Sequence, residues 1–335
     1  MKNIITRRAA LVAVVLLVCC CLLATNCRKT PGTNGGSGRP FRIGMVSFAG
    51  YAPLYLAKEK GFFGDLDVQL ERIEEVPSIR AAIVRGDLNA YLATPDIALD
   101  TNTKPPGKAV WAIDESAGGA GVVVSGEIQD LSGLKGKKVA AEPGLPPNFV
   151  LLYLLHKNGM SIKDVNFQDM TTQNAAAAFA SKSVDAAGIY EPYLSQAMKQ
   201  RKGSRVVISS KQTPGLIVDL VFVRDDEVAP RSADVLKLIE GWRKAMKFIN
   251  DSPSEAFDIM AKAFNLPVEE FRDTVGGIRW LDLPENQALF GTDQAPGPLY
   301  DNFGVVVDVL RHNRADVFQA TAGDYLIRTF IQGAK

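Results

Sequence analysis

Apolar and polar positions along the chain change period many times. Short runs rich in β-branched residues predict strands, and the segments between many of them repeat apolar residues at helical spacing. Strands that alternate with helices favour an α/β fold with mostly parallel sheets. Beyond about residue 225 the pattern is helical. The predicted strands are 41–47, 67–71, 89–93, 109–113, 121–125, 137–141, 165–168, 186–190, 206–209 and 217–223, and helices between them lie near 76–86, 146–158, 173–182 and 193–201.

The first of these strands leads into a candidate binding loop. The run 41–47 stops at Phe48-Ala49-Gly50-Tyr51, and Ala52-Pro53 then opens a short helical pattern that Gly61 closes. Proline at a first helical position and glycine just past the last are typical of helix boundaries. Ligands of α/β sheets bind at the loops that follow the carboxyl ends of strands and at the helix N-termini beyond them. The predicted fold therefore begins with a loop of this kind.

Residues 1–27 are predicted to be an export signal rather than part of the fold. Lys2, Arg7 and Arg8 precede an apolar run, 9–24, which reads as the basic and hydrophobic regions of a secretory signal. The alternative is a single membrane anchor, but the run is shorter than the roughly 20 residues that a spanning helix needs. We expect the protein to be exported, to the periplasm or the outer face of the cell membrane.

The cysteines lie within this segment, at Cys19, Cys20, Cys21 and Cys27. They resemble those of a bacterial lipoprotein signal, in which the cysteine after the cleavage point carries lipid. Cys27 is the candidate for lipidation because a polar stretch follows it, and Cys20 or Cys21 is the alternative. Residues 28–39 have the Gly, Ser, Thr and Pro composition of a flexible tether. The body then has no cysteine with which to form a disulfide.

Length and charge narrow the class of protein further. The chain has 335 residues, 47% of them apolar, which is enough for one large domain or two lobes. It contains 38 Lys and Arg against 37 Asp and Glu, and three basic residues but no acidic ones fall within 1–27. The body is thus slightly acidic and has no basic patch or tail. This balance argues against a nucleic acid as partner.

Two parts of the body repeat the same order of landmarks. The first runs from Gly61 through Asp67-Val68 to Leu88-Asn89-Ala90, and the second from Gly159 through Asp164-Val165 to Val184-Asp185-Ala186. Each reads as helix, glycine stop, strand, helix and strand. Chance similarity between two α/β segments is one interpretation. The other is two similar lobes, each aiming a βαβ unit at a shared cleft.

These landmarks resemble the periplasmic solute-binding proteins of ABC importers, in the branch that serves nitrate, taurine, aliphatic sulfonates and thiamine-pyrimidine precursors. The similarity covers about residues 40–275, and its specificity lies in the order of the motifs. They are GYAPLYLAKEKGFF at 50–63, Asp67-Val68, GDLNA at 86–90, DLSGLKGKKV at 130–139, VDA at 184–186 and YEPY at 190–193.

The resemblance implies a type II periplasmic binding protein with two lobes and two crossing hinge strands. Lobe one is expected at 40–119 plus 222–332, and lobe two at 120–221. Gly118-Gly119-Ala120-Gly121 and Thr213-Pro214-Gly215 would flank the crossings and give the hinge backbone freedom, although ordinary turns would look the same. The implied partners are a small-molecule ligand, an ABC permease and its ATPase, and the protein is expected to be a monomer.

With this fold, the ligand would meet loops at strand carboxyl ends. Several candidates have a structural alternative: Tyr51 and Tyr190 as core aromatics, Asp96 as a residue that favours a helix start, and Glu191 as part of a structural Glu-Pro pair. Asp219 is the sharpest candidate for a hinge or site role, because a lone carboxylate in an apolar strand needs a partner, although a simple salt bridge would also provide one. The candidate site residues are Ser47, Phe48, Gly50, Tyr51, Thr94, Asp96, Asp114, Glu115 and Ser116 from lobe one, Asn148, Tyr190 and Glu191 from lobe two, and Asp219 beside the return crossing.

The charge of this set bears on the ligand. It holds several carboxylates and no Lys or Arg, so a cationic or N–H-rich solute such as an aminopyrimidine, an amine or a urea-like compound is favoured over an anion. A sulfonate could still use helix N-termini and hydroxyl groups.

Catalysis is not predicted. The histidines are His156 and His312, both in helical patterns, and neither a metal cluster nor a phosphate-binding glycine loop is evident. No cofactor is expected. The alternatives to an importer component are an enzyme like the pyrimidine synthases of the same fold, or a ligand-sensing module for a signalling partner.

Overall fold

The computed structural model describes residues 38–101, 103–314 and 316–334. The predicted export signal, the candidate lipidation site Cys27 and most of the predicted tether lie outside these residues. Within them, no helix is long and apolar enough to cross a membrane.

The strands form a six-stranded and a five-stranded sheet, and we call the parts of the chain around them lobe one and lobe two. Each predicted strand overlaps an observed one, whereas β11 was not predicted, because three residues are too few to show a period. The strands are β1 (Phe41–Met45), β2 (Val68–Arg72), β3 (Ala90–Ala93), β4 (Lys108–Ser116), β5 (Ala120–Val124), β6 (Lys138–Ala141), β7 (Asn166–Asp169), β8 (Ala186–Tyr190), β9 (Arg205–Ser209), β10 (Val218–Val223) and β11 (Ile278–Trp280).

Both sheets are mixed and repeat one arrangement. Their orders are β11-β4-β10-β3-β1-β2 and β7-β6-β8-β5-β9. β1 pairs in parallel with β2 and β3, as β6 does with β7 and β8. The strands that lead between the lobes, β4, β5, β9 and β10, pair antiparallel to their neighbours. The α/β class and the two-lobe architecture are confirmed, but the sheets are mixed rather than mostly parallel, because the crossing strands run against the βαβ strands.

The chain passes between the sheets at residues 117–119 and again at 210–217. The first passage falls where the sequence predicted a crossing. At the second, β10 pairs within lobe one from Val218 onwards, where it lies opposite Glu115. Lobe one therefore resumes at Val218 rather than at 222, and the expected boundary would cut through β10.

A buried hydroxyl connects the two crossings. Ser210 is 1% exposed, and its Oγ lies 2.8 Å from Ser116 Oγ and accepts a hydrogen bond from Gly118 N at 2.9 Å. Gly118 has a φ of +122°, a region in which side chains other than glycine are strained. The crossings thus combine glycine freedom with a shared hydrogen-bonded serine pair.

Several of the helices that follow strands begin with proline, which lacks the N–H that would be unpaired there and has a suitable φ. Proline occupies the first or second position of α1 to α4. The helices are α1 (Ala52–Glu59), α2 (Val76–Arg85), α3 (Pro95–Leu99), α4 (Pro146–Lys157), α5 (Thr172–Ala180), α6 (Tyr193–Gln200), α7 (Ser232–Asp251), α8 (Pro253–Ala263), α9 (Val268–Val275), α10 (Leu283–Phe290), α11 (Pro298–Asn313), α12 (Ala322–Tyr325) and α13 (Thr329–Gly333).

Helix α11 connects the C-terminal part of the chain to lobe two. Asn313, at its last position, accepts a hydrogen bond from Ile162 N at 2.8 Å. The rings of His312 in α11 and His156 in α4 meet edge to face, with centroids 4.8 Å apart. The C-terminal helices therefore belong to lobe one, and α11 also contacts lobe two.

We expect Asn286→Leu to lower the free energy of unfolding by about 2–4 kcal/mol, because it removes the buried partner of a strand edge. Asn286 in α10 is 1% exposed. Its Oδ1 accepts from Ala112 N at 2.6 Å and its Nδ2 donates to Ala112 O at 3.0 Å, beyond the end of β11. Denaturant unfolding would measure the loss. Gln287→Leu, at an exposed position of the same helix, is the matched control, and equal midpoints for both variants would contradict the prediction.

Candidate functional site

The loop after β1 is built as a tight turn into α1. The chain leaves β1 at Met45, forms a 3-10 turn over Ala49–Tyr51 and enters the helix directly. The ring of Phe48 meets that of Tyr51 edge to face, with centroids 5.1 Å apart. Trp280 of β11 donates from Nε1 to Gly50 O at 2.8 Å, so a strand from the C-terminal part of the chain holds the loop in place.

Beneath this loop lie four buried polar side chains, Tyr51, Asp96, Asp114 and Asp219, which we call the acid cluster. Asp114 and Asp219 are opposite each other on β4 and β10, so their side chains share one face of the sheet. Tyr51 donates its hydroxyl to Asp219 Oδ1 at 2.5 Å. A Cβ on Gly50 would lie 2.5 Å from Asp114 Oδ2, so only glycine leaves room for the carboxylate.

The acid cluster is largely buried. Asp114 is fully buried, Tyr51 and Asp96 are each 3% exposed, and Asp219 is 7% exposed. Among residues 38–101, 103–314 and 316–334, no Lys, Arg or His nitrogen lies within 4.0 Å of these three carboxylates. Buried negative charge without a cation is costly, so the carboxylates must gain compensation from protons, hydrogen bonds or a ligand.

Burial shifts the acids toward their neutral forms. It raises the pKa of Asp219 to about 7, against the opposing effect of the Tyr51 hydrogen bond, and the pKa of Asp96 to about 6. The pKa of Asp114 lies well above its ordinary value because of burial and then of the nearby Asp219 and Glu115. Burial likewise raises the pKa of Tyr51 well above 10, so it stays a donor. Near neutral pH the cluster is therefore partly protonated and holds fewer than three charges.

Several buried oxygens around the cluster have no hydrogen-bond partner within the part of the chain that the structure describes. They are both carboxylate oxygens of Asp114, Asp96 Oδ1, Thr94 Oγ1 and, from lobe two, Asn148 Oδ1. Most buried polar atoms in proteins are paired. These atoms can thus accept hydrogen bonds from a group that enters between the lobes.

Two adjoining spaces between the lobes, which we call the interlobe cleft, lead to this cluster. The larger is an open groove of about 770 Å³ between the segment 74–84 of lobe one and the loop 142–145 of lobe two. The smaller, of about 150 Å³, is lined by Asp96 of lobe one and by Asn148 and Phe149 of α4. Both are lined by Asp100, the loop 143–145 and Arg314. Asp96 therefore connects the acid cluster to a space that Asn148 closes from the other lobe.

Three predicted site residues of lobe one are occupied with structural contacts. Glu115 accepts from Gly215 N and pairs with Arg279, and Ser116 belongs to the serine pair of the crossings. Ser47 is exposed, and its N–H and hydroxyl donate to the carboxylate of Glu74 at 3.1 and 2.5 Å. Ser47 stays at the rim of the cleft, whereas Glu115 and Ser116 brace the crossings.

Of the predicted site residues of lobe two, one makes structural contacts and two are available to a ligand. Glu191 is exposed and accepts from Ser195 N at 3.1 Å and Ser195 Oγ at 2.8 Å, so its carboxylate supports the start of α6. Tyr190 is 37% exposed and its ring lies 6.0 Å from that of Tyr193. Tyr190 therefore has an open face, and Asn148 is the lobe-two residue with a free buried acceptor.

Sequence reasoning missed residues that line the groove, namely Glu74, Arg80, Glu142 and Arg314. The set predicted from sequence held no cation, yet Arg80 and Arg314 lie in the cleft, which corrects that expectation. Glu74 follows β2 and Arg80 lies one turn into α2. The rule that ligands meet loops after strands would have found this region had it been applied to β2.

A two-lobed α/β protein with two crossings and a cleft between its sheets defines the class of periplasmic binding protein folds. The chain matches the model of the NMT1-like family over residues 37–265 and belongs to that family. The resemblance found in the sequence is thereby confirmed.

Relatives and solved structures agree with this assignment. The chain is 27% identical over 230 residues to a predicted binding protein of Brucella abortus, covering 67% of this chain and 71% of that protein. It is 27% identical over 243 residues to a predicted aliphatic sulfonates-binding protein of Bacillus subtilis, covering 68% and 72%.

The fold is similar to that of the aliphatic sulphonate binding protein SsuA from Escherichia coli, with a TM-score of 0.65, 18% identity and coverage of 85% of this chain and 94% of that one. It is also similar to the nitrate-binding protein NrtA from Synechocystis PCC 6803, with a TM-score of 0.61, 17% identity and coverage of 89% of both chains. At these identities the structures establish a shared fold.

Proposed function

We propose that this protein is the extracytoplasmic solute-binding component of an ABC importer. The family, the two-lobe fold and the relatives named as solute-binding proteins support this role. In it, a small polar solute enters the interlobe cleft, the lobes close around it, and the loaded protein delivers it to a membrane permease driven by an ATPase. Binding rather than chemistry is the proposed activity: contacts from both lobes stabilise the closed form by their difference in affinity for the two states.

The export signal at 1–27 and lipidation at Cys27 belong to the same proposal. A lipid-held binding protein stays close to its permease, and the segment 28–39 would serve as the tether between lipid and lobe one. Labelling with a radioactive fatty acid, compared between the wild-type chain and Cys27→Ser, distinguishes lipidation at Cys27 from lipidation at Cys20 or Cys21.

The acid cluster supports a solute whose buried end is rich in N–H donors. The observation that carries this is the set of unpartnered buried oxygens on Asp114, Asp96 and Asn148, of which Asp96 and Asn148 line the smaller space of the cleft from the two lobes. N–H groups of an amine, an aminopyrimidine or a urea-like solute would satisfy these acceptors, and a cationic head would also offset the carboxylate charge. An anionic group placed here would instead face three acids.

Titration calorimetry at neutral pH tests the ligand class. The probes are 4-aminopyrimidine, ethylamine, urea and ethanesulfonate, of which the first three carry N–H donors and the last does not. We expect saturable binding of at least one N–H donor and none of ethanesulfonate. Binding of ethanesulfonate alone would contradict the proposed ligand class but leave a solute-binding role, and a lack of heat with every probe would count against both.

A further inference from the structure

We propose that Arg80 binds an acidic group at the other end of the solute, so that the interlobe cleft is built for an amphoteric molecule with an N–H-rich head and an anionic tail. This inference rests on the proposed function, because it places a second contact on the same solute. It is carried by the juxtaposition of an unpaired guanidinium with the acid cluster.

Arg80 is held at the inner wall of the cleft. On α2, Ile79, Ala82 and Ile83 are buried, which leaves Arg80 half-buried at the edge of that face. Its side chain lines the 770 Å³ groove. Arg80 and Tyr51 both line a second, apolar cavity of about 30 Å³. Arg80 is thus a side chain shared between the open groove and the wall of the acid cluster.

The guanidinium has unused hydrogen-bonding capacity. Of its five N–H donors, one is used by the bond from Nη2 to Ile97 O at 3.1 Å. Within residues 38–101, 103–314 and 316–334, no carboxylate oxygen lies within 4.0 Å of Arg80. Two buried arginines differ from it: Arg231 pairs with Asp234, and Arg201 donates to two carbonyl groups, Phe179 O at 3.0 Å and Val184 O at 2.7 Å.

Apart from Glu75, which precedes the first residue of α2, the charged neighbours of Arg80 in the groove are occupied elsewhere. Glu74 accepts from Ser47, and Glu142 accepts from Thr172 N at 2.8 Å and Thr172 Oγ1 at 3.1 Å. Arg314 pairs with Asp100 and Asp316. Arg80 is therefore the charged side chain of this wall whose fork of donors is free to receive a planar or tetrahedral acid group.

The bond to Ile97 also holds the guanidinium close to the backbone of the acid cluster. Ile97 follows Asp96 in α3, so the guanidinium is anchored one residue away from a member of the acid cluster without forming an ion pair with it. An acid and a base held near each other but unpaired can each bind the opposite end of one short ligand. A solute with a few atoms between its head and its acidic group fits this arrangement.

Matched ligand pairs combined with variants of Arg80 test the inference by calorimetry at low salt. One series is ethylamine with its carboxylate and sulfonate derivatives, β-alanine and taurine; the other is 4-aminopyrimidine with 4-aminopyrimidine-5-carboxylate. We expect the acid-bearing member of at least one series to bind wild-type protein about tenfold or more tighter than its parent. Arg80→Met should remove that advantage and change the affinity for the parent by less than about twofold. Arg80→Lys should keep part of it, because a single ammonium replaces a fork of donors.

Arg85→Met is the matched control, since Arg85 lies on the same helix, is exposed and pairs with Asp87 at 2.8 Å. It should leave both affinities unchanged. If the parents bind but the acid group adds nothing, or if its gain survives in Arg80→Met, the inference is overturned and the proposed function stands. If neither series binds to wild-type protein, the amphoteric solute and the proposed ligand class are overturned together. The carboxylate and sulfonate arms show which acid group Arg80 prefers.

Discussion

Asp219→Ala is expected to weaken binding of the N–H-donor solute by about 10- to 100-fold, while the fold of lobe one is kept. A buried carboxylate that accepts from a charged or polarised N–H contributes about 1.5–3 kcal/mol, which sets this range. The fold should survive because Asp219 has no ion pair to lose in the described chain, and removing a buried acid relieves a desolvation cost. Calorimetry would measure the affinity, and far-UV circular dichroism the fold.

Tyr51→Phe is the matched control for this variant. It removes the same 2.5 Å hydrogen bond but leaves the carboxylate of Asp219 in place. We expect a smaller loss of affinity than in Asp219→Ala. Equal losses in the two variants would mean that Asp219 acts by holding Tyr51, and unchanged affinity in Asp219→Ala would reduce it to a structural residue of β10.

The ligand-free protein is expected to become more stable as the pH falls from about 8 to about 5. The pKa values of Asp96, about 6, and Asp219, about 7, lie above the value of about 3.9 for an unfolded chain. The folded state therefore binds more protons than the unfolded state between these values, so the free energy of unfolding falls as the pH rises through this window. Each unit of raised pKa corresponds to about 1.4 kcal/mol, so the two groups act in the range of several kcal/mol.

Below about pH 4 this gain should reverse. The pKa of Glu74 is lowered by its hydrogen bonds from Ser47, and that of Asp164 by its bonds from Ser161, so protonation of such groups costs stability in acid. A melting temperature that peaks between about pH 4 and 5 is the expected profile. A cationic solute should show the opposite dependence, binding more tightly as the pH rises through 6 to 7 and the cluster ionises.

The double variant Asp96→Asn with Asp219→Asn isolates these two carboxylates. The difference between its profile and that of the wild type removes the contributions that the two proteins share. We expect the profile of the variant to be flatter between pH 5 and 8. Identical profiles would mean that the two carboxylates titrate alike in the folded and unfolded chain, and would contradict the assignment of a buried, cation-free cluster.

Much of the fold could be predicted because its signals are local. The change of period from strand to helix, the prolines at the starts of α1 to α4 and the glycines in the crossings all act over a few residues. The mixed direction of the sheets was not predicted. It depends on how the chain returns from one lobe to the other, and no short pattern encodes the direction in which β10 enters its sheet.

The candidate site was predictable as a set of residues but not as a set of contacts. The sequence identified Tyr51 and Asp219 separately, and it required a partner for the lone carboxylate in an apolar strand. That this partner is a tyrosine 168 positions away is a product of tertiary packing. Asp114 and Glu115 show the same limit: adjacent residues of one strand face opposite sides, and which one enters the site depends on a register that carries an irregularity beside Asp219.

Arg80 was missed for a different reason. The loop after β2 was not among the candidate loops, and Arg80 moreover lies within the helix that follows it and reaches the cleft through the length of its side chain. Long charged side chains can place their heads several ångströms from the backbone that carries them. The charge of a binding site is therefore predicted less well than its backbone. Here the addition of Arg80 to the site changes the expected ligand from a simple base to an amphoteric molecule.

The bond from Trp280 to Gly50 gives the molecule a built-in optical probe. Trp280 is half-buried and its indole nitrogen is tied to the loop that covers the acid cluster, whereas Trp111 and Trp242 are 1% and 2% exposed. Trp242 donates instead to Leu281 O at 2.8 Å, and Trp111 lies in β4, so Trp280 is the tryptophan bonded to this loop in the described chain. The part of the fluorescence that shifts or is quenched on adding a solute thus reports on the Phe48–Tyr51 loop, and it does so without a label.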